Sequence, residues 1–446
     1  MNSVITRRCA LGLGLSTVVL VATRGSAQPG ASAIKVADVP APALAIEKSA
    51  SLRMLRPVRF VQPDEDVFRT NAARFTEKTG VPVKVDFVGW EDINQQTAVT
   101  SNSGAGPDII IGFSDAPHIY ADKLVELTDV AAYLGKRYGG WMFLAEKYGR
   151  RYRSDAWIGL PFGASGGPLV YRKSMVQAAG YQRVPDDHAG LLELCRKLQK
   201  VGKPAGFALG NAVGDGNGFA SWLLWSHGAA LLDEEGNVII NSKETIAALN
   251  YLKQLYPTFI AGTTSWNDVS NNRAYSAEDI SLTSNGVSLY FSLRNDPATK
   301  PIADDTEHQF MPQGLAKTSP MSGLTLNAMV FRHSPYPNAA KAFLQFMLEH
   351  EQYEAWINAN NGYWAHPLNA YADCAVWSGD PKVRIFKDTM ANQYWNGYKG
   401  PISVASGAVN ADYVLVQMCA SVATDAATPE AAAAEAERRA RRYFRR

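Results

Sequence analysis

Long apolar runs are missing from this 446-residue chain: the most apolar stretch, residues 10–22, falls well short of the ~20 residues a membrane-spanning helix needs. Cysteine is scarce, with four residues (Cys9, Cys195, Cys374 and Cys419) and no C-x-x-C spacing, which excludes a disulfide-stapled scaffold. Charge of one sign is lacking too. Forty-four Lys and Arg stand against 42 Asp and Glu, so no overall field draws the chain to nucleic acid or a membrane surface. The seven histidines (118, 188, 227, 308, 333, 350 and 366) are scattered, with no H-E-x-x-H, no Cys/His cluster and no phosphate-binding G-x-x-x-x-G-K-[ST]. The glycine-rich stretch 210–218 lacks the strand–turn–helix spacing of a dinucleotide site and reads as a flexible loop. No cofactor or metal is expected.

What is present is an ordinary apolar fraction of 46%, enough for two or three domains with cores of their own. The N-terminus carries Thr6-Arg7-Arg8, a short apolar run, and small residues at Gly25-Ser26-Ala27 and Ala31-Ser32-Ala33. This is the layout of a secretory signal over residues 1–33, similar to the twin-arginine type, and an ordinary signal containing Arg-Arg is the alternative. Either predicts export to the periplasm. Loss of Arg7, Arg8 and Arg24 would take the formal charge from +2 to −1, and loss of Cys9 would leave three cysteines and at most one disulfide.

Residues 34–52, rich in Ala and Pro, read as a linker or disordered stem, with order starting near Arg53. Residues 58–61 read as a strand and 64–79 as a helix with acids in its first turn and Gly80 at its end. Alternating Val81, Val83, Val85 and Phe87 predict a second strand, residues 92–100 a weak helix, and Ile109-Ile110-Ile111 a strand buried on both faces. This βαβαβ order indicates an α/β lobe. The second half repeats the style, with strands at 169–171 and 238–240 and helices at 190–200, 242–256 (begun by an Asn241/Glu244 capping box), about 339–347, and from Thr428-Pro429 onward. Six arginines within residues 438–446 read as solvated cations that complement the dipole at the end of that last helix, with an acidic partner or lipid head groups as the alternative.

Two features bear on chemistry. Gly163-Ala164-Ser165-Gly166-Gly167 satisfies the G-x-S-x-G of a nucleophile elbow, with His366 and Asp373 downstream, but a strand-like segment follows where the elbow requires a helix. The other is a set of aromatics in polar, loop-like surroundings, among them Trp90, Phe162, Phe219, Trp222, Trp266, Tyr363, Trp364 and Trp395. Flat rings beside carboxylates and amides suit a sugar, which offers an apolar C–H face and a rim of hydroxyls.

Gly106-Pro107-Asp108-Ile109-Ile110 with Asp115, Gly159-Leu160-Pro161-Phe162 running to Lys173, Ser265-Trp266-Asn267-Asp268 with Ser284-Asn285-Gly286, and residues 337–344 occur in an order similar to that of a known family. The chain resembles the family-one extracellular solute-binding proteins, the carbohydrate-binding subunits of ABC importers (maltose-binding-protein-like). The resemblance implies two α/β lobes of the type II periplasmic-binding fold joined by three hinge crossings, near residues 162–168, 306–312 and 350–356. Lobe 1 would take residues 53–163 and 308–352, and lobe 2 residues 164–307 and 353–446. It further implies a ligand cleft in which Asp115 and Asn267 bind the hydroxyl rim and Trp90, Trp222, Trp266 and Trp364 stack on sugar faces. Phe162, Ser165, Phe219, Tyr290, Ser322, Gly323 and Tyr363 would complete it. Ser165 stands where a ligand-binding carboxylate is found in the family, and Gly112 where an aromatic is, so the exact sugar does not carry over. The implied partners are a carbohydrate or polyol and the permease subunits, with no nucleic acid, the protein being a monomer. A charged ligand meeting Arg273 or Arg294, and a hydrolase using Ser165, are the alternatives.

Overall fold

The computed structural model describes residues 34–444, so the export signal expected over residues 1–33 lies outside the described residues. Among the described residues ten strands follow one another: β1 Leu52–Pro57, β2 Val83–Val88, β3 Ile109–Phe113, β4 Leu160–Ser165, β5 Leu169–Arg172, β6 Leu282–Ser284, β7 Thr306–Gln309, β8 Met321–Ser322, β9 Leu324–Val330 and β10 Gln393–Tyr394. They form a five-stranded sheet in the order β2-β1-β3-β9-β4, a three-stranded sheet β6-β5-β7, and a short pair β10-β8.

In the larger sheet β1 runs parallel to β2 and β3, while β9 is antiparallel to both β3 and β4. Ile109, Ile110 and Ile111 are fully buried at its centre, as an uninterrupted apolar run requires. The first helix, Gln62–Thr79, turns Phe68, Ala72 and Phe75 into the core and ends at Gly80. There φ is +75°, a left-handed conformation that glycine adopts without a Cβ penalty. The first strand is not residues 58–61 but Leu52–Pro57, which the sequence hides behind two arginines. Arg56 is buried because Asp64 meets it at 2.9 Å and the rings of Phe68 and Phe87 sandwich its guanidinium.

Residues 34–51 contain neither helix nor strand, but they are not a disordered stem. Ile34 and Ala50 are buried, Ala37 N–H donates to the Arg137 carbonyl, and the Glu47 carboxylate accepts from Asn338 N–H (2.9 Å) and Ala339 N–H (3.0 Å). Those two donors are orphans of the first turn of helix Pro337–Leu348, so a residue 291 positions upstream of the first donor caps it.

The smaller sheet anchors a second core built from helices His188–Lys200, Asp215–Ser226, Lys243–Leu255, Val414–Ala423 and Pro429–Phe444. The N-cap of Lys243–Leu255 is Ser242, whose side chain accepts from Thr245 N–H, rather than Asn241. Val238 forms only an isolated bridge to Leu232, so the strand expected at 238–240 is absent. Cys195, Cys374 and Cys419 are buried and unpaired.

The chain passes between the two lobes three times. The first passage lies between β4 and β5 and the second between β7 and β9. The third does not occur at 350–356: helix His350–Ala359 packs on Gln62–Thr79 in the first lobe, tied by the Asn71 amide donating to the Gln352 carbonyl at 3.0 Å. The return comes later, around β10, before helices that join the second core.

Candidate functional site

A cavity lies between the two lobes. Phe60, Trp90, Met321, Ser322 and Leu324 line it from the first, and Asp215, Gly218, Phe219, Trp222, Asp268, Asn285 and Ser288 from the second. Ser165, Gly166, Gly167 and Met311 contribute from the connecting segments, and Tyr363 from beyond helix His350–Ala359, beside Phe60. About 60 Å³ of it is open to the centre of a water molecule.

Its aromatic wall is held by hydrogen bonds at the rings' polar atoms. The Trp90 indole N–H donates to the Val58 carbonyl at 2.8 Å, and the ring meets Phe60 edge-on at 4.7 Å. Phe60 in turn lies 5.8 Å from Tyr363, nearly parallel. Across the cavity Trp222 donates to the Pro312 carbonyl on the second passage at 3.0 Å. Gly286 lets this wall close: a Cβ there would come within 3.0 Å of the Tyr363 ring and 3.1 Å of the Ser165 hydroxyl.

The second-lobe wall is one face of helix Asp215–Ser226. Asp215, Gly218, Phe219 and Trp222 stand at i, i+3, i+4 and i+7, the spacing that stacks side chains on one side of a helix. The helix start is capped by Asp268, whose carboxylate accepts from the N–H groups of Val213 (2.8 Å), Gly214 (2.9 Å) and Asp215 (2.8 Å). Asp215 Oδ2 is buried and has no hydrogen-bond partner. Burial lifts both carboxyls above their usual range. The neighbouring Asp268 charge lifts Asp215 further, while the three N–H donors restrain Asp268.

Of the residues expected at the site, Trp90, Ser165, Phe219, Trp222, Ser322 and Tyr363 line this cavity. Asp115 does not; it faces a second interlobe chamber of about 90 Å³, which shares Leu324 with the first. Its Oδ2 accepts from the Asn396 amide at 2.6 Å, Oδ1 is unpartnered, and burial pushes the carboxyl up to about 7 against that hydrogen bond. Trp364 is buried directly behind Trp90, 6.0 Å away and nearly parallel, and its indole N–H donates to Asp64. Phe162 belongs to the first-lobe core beside Phe68 and Trp356. Gly323 lies between two lining residues, its carbonyl taken by the Ser114 hydroxyl. Trp266 packs over Gly206 instead, and exposed Asn267 closes a local turn with Ser270. Tyr290 faces away from the cavity and donates to Asp380 at 2.8 Å, where Arg294 is also paired. Neither Arg294 nor Arg273 lines the cavity.

Sequence reasoning missed Phe60, Asp215, Asp268 and Asn285. The helical spacing of Asp215 from Phe219 and Trp222 is the available signal, and Asp268 is one residue from Asn267, which the resemblance implies for the hydroxyl rim. Ser165 sits at the end of β4, is followed by β5 rather than a helix, and has no histidine among the cavity residues. Among the described residues no group of metal-ligating side chains could hold an ion, and no helix is long and apolar enough to cross a membrane.

A family model described as bacterial extracellular solute-binding protein matches residues 71–385. The chain is 25% identical over 336 residues to YcjN of Escherichia coli (strain K12), named as an ABC transporter periplasmic-binding protein, covering 72% of this chain and 74% of that one. A sugar transporter protein from Arthrobacter chlorophenolicus A6 with bound laminaribiose has a TM-score of 0.76, 17% identity, and coverage of 88% of this chain and 99% of its own. The GacH receptor of Streptomyces glaucescens, solved unliganded and with acarbose, gives 0.75, 17%, 90% and 99%. A solute-binding protein from Agrobacterium radiobacter K84 with ribitol gives 0.73, 20%, 89% and 99%. At these identities the solved structures establish the two-lobed fold.

Proposed function

The chain belongs to the bacterial extracellular solute-binding proteins, and from that premise we propose that it captures a carbohydrate or polyol in the interlobe cavity and hands it to the membrane subunits of an ABC importer. The observation that carries this reading is the cavity itself. Aromatic faces of Phe60, Trp90, Phe219, Trp222 and Tyr363 stand beside hydroxyl, amide and carboxylate groups of Ser165, Ser322, Asn285 and Asp215, drawn from both lobes. The rings cover apolar C–H faces, and the polar groups take up the hydroxyl rim. Sugar or polyol ligands in the structurally similar proteins support the same class.

The volume points to a small ligand. At roughly 10–15 Å³ of accessible centre per water, the cavity has room for about four to six waters, or roughly 120–180 Å³ of liquid, the scale of one sugar ring or a short polyol. The chamber beside Asp115 would take a second unit.

Ligand touching both walls would favour the arrangement in which the lobes are together, and the permease would read that arrangement. The protein acts as a monomer in the periplasm, delivered there by the signal in residues 1–33 and needing no cofactor. Hydrolysis at Ser165 lacks a histidine base in the cavity, and a phosphate ester would find no cation there.

Thermal melts against sugars, polyols and phosphate esters test the proposal. A ligand at 100 times its Kd adds about 2.7 kcal/mol and raises Tm by a few degrees. A shift confined to carbohydrates or polyols is expected; a shift with phosphate esters alone would overturn the reading.

A further inference from the structure

The charge of the cavity narrows the ligand class. Apart from Asp215 and Asp268 its walls carry no ionisable side chain except the Tyr363 phenol, and no Lys, Arg or His. The start of helix Asp215–Ser226 is the one electropositive feature nearby, and it is already used. Asp268 takes the N–H groups of Val213, Gly214 and Asp215, so the helix end is balanced by one carboxylate. A ligand anion would have to displace that cap. Asp215 is then surplus: its Oδ2 is buried without a partner, and nothing on the walls offsets it. Glu91 adds negative charge beside Asp268, and the Tyr363 hydroxyl is held neutral by its burial, with Asp215 and Asp268 adding to the effect. The Asn271 amide, which donates to the Ser284 carbonyl at 3.0 Å, acts on Asp215 in the opposite sense and favours its ionised form.

A carboxyl with an unpartnered oxygen and no cation beside it, set among aromatic faces, is an arrangement that an ammonium group can ionise and pair with, through charge-assisted hydrogen bonding and the negative faces of the rings. Resting on the carbohydrate reading above, we propose that the ligand is an amine-bearing sugar or polyol whose ammonium group is held by Asp215 while its ring or chain lies between Trp90 and Phe219.

Such a ligand leaves a mark that a neutral sugar does not. Asp215 and Asp268 together hold a proton more readily than free carboxylates. An incoming ammonium favours the ionised form, so binding expels to the buffer whatever proton the pair holds. A neutral hydroxyl has no such requirement.

Calorimetric titrations of the mature chain with D-glucosamine, D-galactosamine and 1-amino-1-deoxy-D-sorbitol, each against its hydroxyl counterpart, test this directly. The amine is expected to bind about 10- to 100-fold tighter than the matched neutral compound. Its apparent enthalpy should depend on the ionisation enthalpy of the buffer, reporting proton release. Asp215→Asn, checked for an unaltered fold by circular dichroism, should abolish both the preference and the buffer dependence. Equal or tighter binding of the neutral partners, with no proton release, would overturn the amine assignment and leave the carbohydrate reading intact. Binding of putrescine or spermidine with no response to any sugar or amino sugar would overturn both.

Discussion

Single residues beneath and beside the cavity carry more of the account than those on its face. Asp64 is buried and collects three donors: Arg56 at 2.9 Å, the Trp356 indole at 2.6 Å and the Trp364 indole at 3.3 Å. Trp364 backs Trp90, so this carboxylate holds the wall from behind. Asp64→Ala should strand the Arg56 charge and cost about 3–5 kcal/mol in urea unfolding. A loss below 1 kcal/mol would mean that Arg56 finds another partner. Asp115 behaves in the opposite sense. Its carboxyl is raised from 3.8 to about 7 in the folded chain, mainly by burial. The proton-bound form is therefore the one the fold prefers. That stabilisation is complete below about pH 4 and is lost as pH rises through about 7. Asp115→Asn should be more stable than the parent at pH 8, on the order of 2–4 kcal/mol, with a flatter stability profile between pH 4 and 7. An unchanged profile would show that Asp115 is solvated in solution. Neither role was legible in the sequence, where Asp64 is one of three consecutive acids and Asp115 stands in a loop. What decides both is burial beside partners hundreds of positions away, Trp364 and Asn396.

Elements were legible where their pattern was local. The isoleucine run of β3, the Phe68/Ala72/Phe75 stripe and the Thr428-Pro429 helix start need only their own neighbours, and each stands where its periodicity or cap placed it. The misplaced elements depend on distant partners. β1 contains Arg56, whose charge argues against a buried strand until Asp64 neutralises it. Residues 34–51 lack any periodic pattern, yet Glu47 supplies the missing cap of helix Pro337–Leu348. Burial opposes the Glu47 charge, but the two backbone donors outweigh it and hold the carboxyl below its ordinary value. Glu47→Ala should accordingly cost about 1 kcal/mol in urea unfolding at neutral pH. That difference should fade as pH falls through the range in which Glu47 protonates. A difference that persists unchanged in acid would assign the effect to packing of the strap rather than to the cap.

At the scale of the whole molecule, the two-lobed arrangement followed from the order of motifs, while the cleft contents followed only in part. Residues on the walls that are themselves aromatic, such as Trp90, Phe219 and Trp222, stood out by their polar surroundings and by the family resemblance; the carboxylates beside them did not, because a capping aspartate and a surface aspartate look alike in one sequence. Tyr290 shows the converse, an aromatic that the resemblance implied for the cleft and that serves instead the packing between the second lobe and Asp380. The third passage was displaced for a related reason: helix His350–Ala359 turns Tyr353, Trp356 and Ile357 into the first-lobe core before the chain leaves it. The central claim is that one ligand binds between the lobes against the Trp90 wall. Titration calorimetry of parent and Trp90→Ala chains, with whichever carbohydrate or polyol shifts the melt, tests it most directly. The account predicts a single site whose Kd rises at least about tenfold in the variant, the loss expected from a ring contact of this kind. A folded Trp90→Ala chain that binds the same ligand with unchanged Kd would contradict it.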